Sequence, residues 1–110
     1  MFGPAIKEAR LARGLRQKDL AEMIAKADGA YISIPYLSDI ENGARHPMSD
    51  HMIRQFAGAL GLDEGYLFVL AGKIPDDLRD SLPGREQVIA AWNAFCATIH
   101  ASGDGAREGE

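Results

Sequence analysis

Ser33-Ile34-Pro35-Tyr36-Leu37-Ser38-Asp39-Ile40-Glu41-Asn42-Gly43 carries the helix around which the rest of this chain is arranged. Ser33 is of the type that caps a helix start through its side-chain oxygen, and Pro35 falls in the first turn, where a proline is tolerated. Leu37 and Ile40, three apart, mark an inner face, and Asn42-Gly43 is a stop signal. The spacing predicts a short helix from Ile34 to about Asn42.

Upstream, Gln17 to about Ala27 is expected to be a second helix, with Leu20, Ala21 and Ile24 on its inner face and Asp28-Gly29 as a turn. Before it, Pro4 to Arg13 forms a first helix, with Ile6, Ala9, Arg10 and Arg13 at helical spacing and Gly14 closing it. Leu15 then packs inward. Downstream, Pro47 marks a loop. Ser49 caps a fourth helix through Leu60, whose inner face is Met52, Ile53, Phe56, Ala57 and Leu60, and Gly61 ends it. Asp63 caps a fifth, with Tyr66, Leu67 and Leu70 inside. Only Tyr31 to Ile34 alternates at all, so the fold class is all-α: a five-helix domain over residues 1–73.

Residues 74–101 differ in character. Pro75-Asp76-Asp77 starts a single helical turn that ends before Pro83-Gly84. A last helix follows, Arg85 to His100, with Val88, Trp92, Phe95 and Ile99 in one stripe flanked by Ile89 and Cys96. Such a face must be buried on something. Pairing with a second copy is the reading preferred here, and folding back on its own domain is the alternative. Residues 102–110 hold no large apolar side chain and are expected to be disordered.

The formal net charge is −4. Residues 1–73 are balanced, with nine basic and nine acidic side chains, and the acidic excess lies wholly in residues 74–110, with three and seven. A nucleic-acid partner is therefore not excluded, although affinity should fall steeply with salt. No run approaches the roughly 18 to 20 apolar residues of a membrane span. Met1-Phe2-Gly3-Pro4 lacks the features of a secretion signal, and a lone cysteine, Cys96, allows no intrachain disulfide; both point to the cytoplasm.

No enzyme chemistry is legible. There is no Gly-rich phosphate loop, acid pair or metal-ligand spacing. Ser33 is an N-cap rather than a nucleophile, and His46, His51 and His100 form no ligand cluster. Cys96 is a packing residue. Lys73, Arg79 and Arg85 read as solvated charges. No cofactor or metal is expected.

Two helices joined by a tight connection to a third is a geometry suited to the major groove, which admits one helix while a second braces it across the backbone. Residues 5–72 resemble the phage-repressor, or Xre-type, helix-turn-helix family. The matching strings are Leu15-Arg16-Gln17-Lys18-Asp19-Leu20-Ala21, Tyr36-Leu37-Ser38-Asp39-Ile40-Glu41-Asn42-Gly43 and Phe56-Ala57-Gly58-Ala59-Leu60-Gly61-Leu62, with Pro47 at the family's loop proline. The resemblance implies that Gln17, beside Lys18, touches a phosphate and braces the recognition helix. It implies that Ile34, Pro35, Ser38 and Asp39 face base edges, with Ser33 among the DNA contacts at the helix start, and that Asn42, Arg45 and His46 hold the backbone. By spacing alone Arg10 and Glu41 are surface charges; the resemblance implies a buried ion pair.

The chain departs from the family twice. Seven residues, Ala25 to Tyr31, stand where one is usual, which is expected to lengthen the second helix by a turn and add a small loop near the DNA backbone, or to tilt the recognition helix. Ile34 and Pro35 are apolar where polar residues are common. They suit thymine methyl groups, while Asp39 suits a cytosine amino group or holds a nearby arginine such as Arg16. The function implied is a dimeric, sequence-specific regulator of transcription that acts on a double-stranded DNA operator, as repressor or autoregulator. Alternatives are a DNA-binding antitoxin whose acidic tail engages a protein partner, and a protein-interaction module that has lost DNA binding.

Overall fold

The computed structural model describes residues 1–46 and 49–108; Pro47, expected in a loop, lies outside them. The described residues form helices α1 (Phe2–Ala12), α2 (Gln17–Ala21), α3 (Ile34–Glu41), α4 (Asp50–Leu60), α5 (Glu64–Ala71), α6 (Asp76–Asp80) and α7 (Arg85–Glu108). An isolated antiparallel bridge joins Ala25 to Tyr31. The chain is all-α, and it divides into two compact units, Met1–Asp76 and Asp77–Glu110. No helix among the described residues is long and apolar enough to cross a membrane.

In the first unit α1 touches α3, α4 and α5, while α2 packs on α3 and α4 on α5. The core they enclose includes Ile6, Leu20, Ile24, Ile32, Leu37, Ile40, Ile53, Phe56 and Leu67. Helix α1 starts two residues earlier than Pro4 because Phe2 is an anchor: it is buried edge-on against Phe56, with ring centroids 5.9 Å apart. Pro4 becomes the third helical residue, where a missing N–H breaks no intrahelical bond. Gly3 sits where a Cβ would collide with the backbone carbonyls of Ile40 and Glu41, so α1 crosses the end of α3 at a separation only glycine allows.

Side chains close the helix ends. Ser33 Oγ accepts from the Tyr36 N–H at 3.1 Å, Ser49 Oγ from Met52 at 3.2 Å, and Asp63 Oδ1 from Tyr66 at 2.9 Å. At the other end of α4, Gly61 adopts φ +65° and turns the chain so that the Leu62 N–H returns to the Ala57 carbonyl at 3.0 Å. Arg13 Nε reaches from α1 to the Leu60 carbonyl at 2.9 Å.

Four expectations are corrected. Helix α2 stops at Ala21 instead of reaching Ala27, because the Ile24 carbonyl takes the Ile32 N–H at 3.0 Å and Lys26 pairs with Ala30 at 2.8 Å. A hairpin brings both Ile24 and Ile32 into the core. In α5 Phe68 is buried and Tyr66 is exposed; that helix is apolar on every side, so periodicity assigns it no face. Lys73 is not a free surface charge but an ion-pair partner of Asp50, at 2.6 Å. In the second unit α7 continues to Glu108, through most of the segment expected to be disordered. A helix already nucleated gains one hydrogen bond per added residue, and Ala101, Ala106, Arg107 and Glu108 favour it, against the cost of Gly103 and Gly105.

One buried ion pair joins α1 to α3. Arg10 Nε donates to Glu41 Oε2 at 2.7 Å and Arg10 Nη2 to Oε1 at 3.0 Å, with the residues only 7% and 4% exposed. The third guanidinium nitrogen, Nη1, donates to the Leu15 carbonyl at 2.8 Å. A second polar lock secures the end of the unit: Asp50 accepts from Lys73 and, at 2.7 Å, from the Asp76 N–H. The Lys73 ammonium, then the Asp76 amide, holds the Asp50 carboxyl below its ordinary range, and Asp50 raises Lys73 in turn.

Removing either Arg10 or Glu41 strands a buried charge. Arg10→Met or Glu41→Gln is expected to cost about 3 to 5 kcal/mol, and the double variant much less than the sum. Urea unfolding of the four proteins measures this; additive losses would remove the coupling. The depressed Asp50 carboxyl stabilises the fold above the unfolded value of about 4, and this contribution is lost as pH falls through the lower folded value. Asp50→Asn is thus expected to be less stable than the parent chain at pH 7 and equal to it in strong acid. Denaturation midpoints between pH 2 and 7 test this, and a gap that persists unchanged into strong acid would contradict it.

Candidate nucleic-acid interface

Helix α3 has two unlike faces. Leu37, Ile40 and Glu41 point inward, whereas Ile34, Pro35, Asp39 and Asn42 are exposed and Ser38 is half-buried. The exposed set follows helical spacing and so forms one strip, apolar at its start and polar beyond. The Ser33 oxygen accepts its capping bond. Asn42 Nδ2 donates to Ser38 Oγ at 3.4 Å. The strip can touch thymine methyl groups through Ile34 and Pro35 and accept from a base amino group through Asp39.

After α3 the chain turns tightly, with the Ala44 and Arg45 N–H groups both donating to the Asp39 carbonyl, at 2.9 and 3.2 Å. This brings the Arg45 guanidinium over the Tyr36 ring, 4.6 Å from its centroid. The ring face orients the cation without neutralising it. Tyr36 is itself steadied, its hydroxyl directed at Met52 Sδ 3.7 Å away. His46 follows, exposed.

Helix α2 lends support from the side. Gln17 Nε2 donates to Glu41 Oε1 at 3.2 Å, which adds it to the Arg10–Glu41 network. Lys18 beside it is exposed. Arg16 does not meet Asp39. Its Nε and Nη2 bond Asp19 at 3.1 and 2.9 Å, and the Arg16 N–H also donates to Asp19 Oδ2 at 2.9 Å. Three residues apart at a helix start, the two are nearer neighbours than any pair spanning two helices. These bonds hold the Asp19 carboxyl down to about 2.

The seven residues Ala25 to Tyr31, six more than usual, form a fastened hairpin. The Ala25 N–H donates to Gln55 Oε1 at 3.2 Å, and His51 Nε2 donates to the Ala25 carbonyl at 3.0 Å. Thus the structure gathers Arg10, Glu41 and Gln17 in one network, sets Ile34, Pro35, Ser38, Asp39 and Asn42 on one strip, and places Arg45 and His46 directly after it. Val88, Trp92, Phe95 and Ile99 belong to the other unit. Tyr36, His51 and Gln55 were not foreseen as positioning residues. The spacing of His51 and Gln55, four apart on one helix, was a visible signal; nothing in sequence links Tyr36 to Arg45.

Comparison with known proteins agrees with this geometry. The family profile described as Helix-turn-helix matches residues 6–67. Among characterised relatives, the HTH-type transcriptional regulator DdrOP3 of Deinococcus deserti is 32% identical over 114 aligned positions, covering 94% of this chain and 83% of that protein. The chain belongs to the phage-repressor-like, Xre-type helix-turn-helix family of DNA-binding transcriptional regulators.

Proposed function

We propose that this protein is a homodimeric, sequence-specific repressor or autoregulator that reads a double-stranded operator through α3. The observation that carries this reading is the two-faced α3: an exposed strip of Ile34, Pro35, Ser38, Asp39 and Asn42 on a helix fixed from behind by Glu41. Gln17, Lys18, Arg45 and His46 grip phosphates on either side, and Ser33 sets the helix start. The protein works in the cytoplasm, with its DNA.

Dimerisation rests on α7. Ile89, Trp92, Phe95 and Ile99 are exposed along one helix, Val88 and Cys96 are half-buried, and Trp92 stacks on Phe95 with centroids 5.9 Å apart. A soluble protein seldom leaves such a stripe in water, and two copies packed face to face would cover it. The dimer then matches half-sites about one helical turn apart.

Selection from random duplexes, followed by salt titration on the winner, tests DNA reading. Arg45→Ala is expected to weaken binding to all duplexes alike and to lower the salt slope by about one. Asp39→Ala is expected to relax preference at one base pair. No salt-sensitive binding to any selected duplex would end the proposal. For the dimer, Trp92→Glu is expected to give a folded monomer in sedimentation, with much weaker operator binding. A Trp92→Glu protein that still sediments as a dimer would place the interface elsewhere.

A further inference from the structure

The hairpin from Ala25 to Tyr31 is built as firmly as a functional element. Besides the Ala25–Tyr31 bridge, Lys26 N–H donates to the Ala30 carbonyl at 2.8 Å and Gly29 N–H to the Lys26 carbonyl at 2.9 Å. Asp28 Oδ1 takes the Ala30 N–H at 2.9 Å, which commits the hairpin's one acidic side chain to the turn. Both backbone polar groups of Ala25 are held by α4, through His51 and Gln55. Six residues beyond the usual connection are thus pinned at both ends, while little of them enters the core.

Direction follows from alternation. Ile24 and Ile32 point into the core, so their paired-strand neighbours Ala25 and Tyr31 point away from it. Tyr31 is 60% exposed, and Lys26 is exposed as well. An aromatic ring left in water adds little to folding. Tyr31 precedes Ser33, the cap of α3, by two residues, which span at most about 7 Å. The major groove is about 12 Å wide, so with the first turn of α3 inside it, a side chain that far from the helix start meets the phosphate rim.

We infer that the hairpin is an added phosphate-contact arm of the DNA interface, in which the Tyr31 hydroxyl and the Lys26 ammonium donate to phosphate oxygens beside the groove entered by α3. This rests on the DNA-reading proposal above. Contacts of this kind fix register without carrying sequence information.

The test uses the full chain and the duplex selected from the random pool. Tyr31→Phe is expected to weaken binding about 3- to 10-fold, the range of one lost hydrogen bond, on selected and unrelated duplexes alike. Lys26→Ala is expected to lower the salt slope by about one. Ethylation of one phosphate flanking the α3 contacts should interfere with the parent chain and not with the Tyr31→Phe/Lys26→Ala variant. Both side chains are exposed, so thermal melts should be unchanged. His51→Ala with Gln55→Ala, which frees the hairpin base, should reproduce the loss. Unchanged affinity and slope in the hairpin variants, beside an Arg45→Ala variant that still binds more weakly, would overturn the arm and leave DNA reading standing. A parent chain that binds no duplex would overturn both.

Discussion

The bidentate contact of Arg10 with Glu41 is the constraint on which the first unit depends. Two opposite charges are taken out of water together, so each is tolerated only while the other is in place. Each group has a further partner, the Leu15 carbonyl for Arg10 and the Gln17 amide for Glu41. Because Glu41 is the last residue of α3, its anchorage fixes the rotation of that helix about its axis. The strip from Ile34 to Asn42 faces outward as a direct result. Gly3 makes the contact geometrically available, since any side chain there would hold α1 away from the end of α3.

Charge placement matters more in this domain than charge total. The helical unit is close to neutral, yet few of its basic groups are equivalent. Arg10 is buried, Arg16 is tied to Asp19, and Lys73 is tied to Asp50. Arg45 is different: its partner is the face of Tyr36, which orients a guanidinium and leaves its charge available to an anion. Salt bridges therefore withdraw some cations into structural work, and an aromatic platform keeps another oriented just after α3.

The second unit poses a different physical problem. A single long helix cannot bury its own apolar stripe, so Trp92 and Phe95 stack on each other along its length and remain in water. On the proposal above, a second copy of the chain covers that surface. The acidic residues concentrated in 74–110 add like charge to this part of the sequence.

Local rules were enough to place much of this architecture. Ser33, Ser49 and Asp63 cap helices because their short side chains reach the backbone N–H three residues on, a relation confined to neighbours in sequence. Helical periodicity likewise marked Leu37, Ile40 and the inner face of α4. It failed where no periodic signal exists: in α5, apolar all round, and at Phe2, whose role depends on a ring in α4. The candidate interface divides in the same way. Its strip on α3 was legible from spacing and family strings together. Spacing did not give the Arg10–Glu41 pair, but the family strings implied it; the perch of Arg45 on Tyr36 and the grip of His51 and Gln55 on Ala25 were decided by tertiary structure. Each joins groups distant in sequence, and each exists only because the packed core brings their backbones within a side chain's reach.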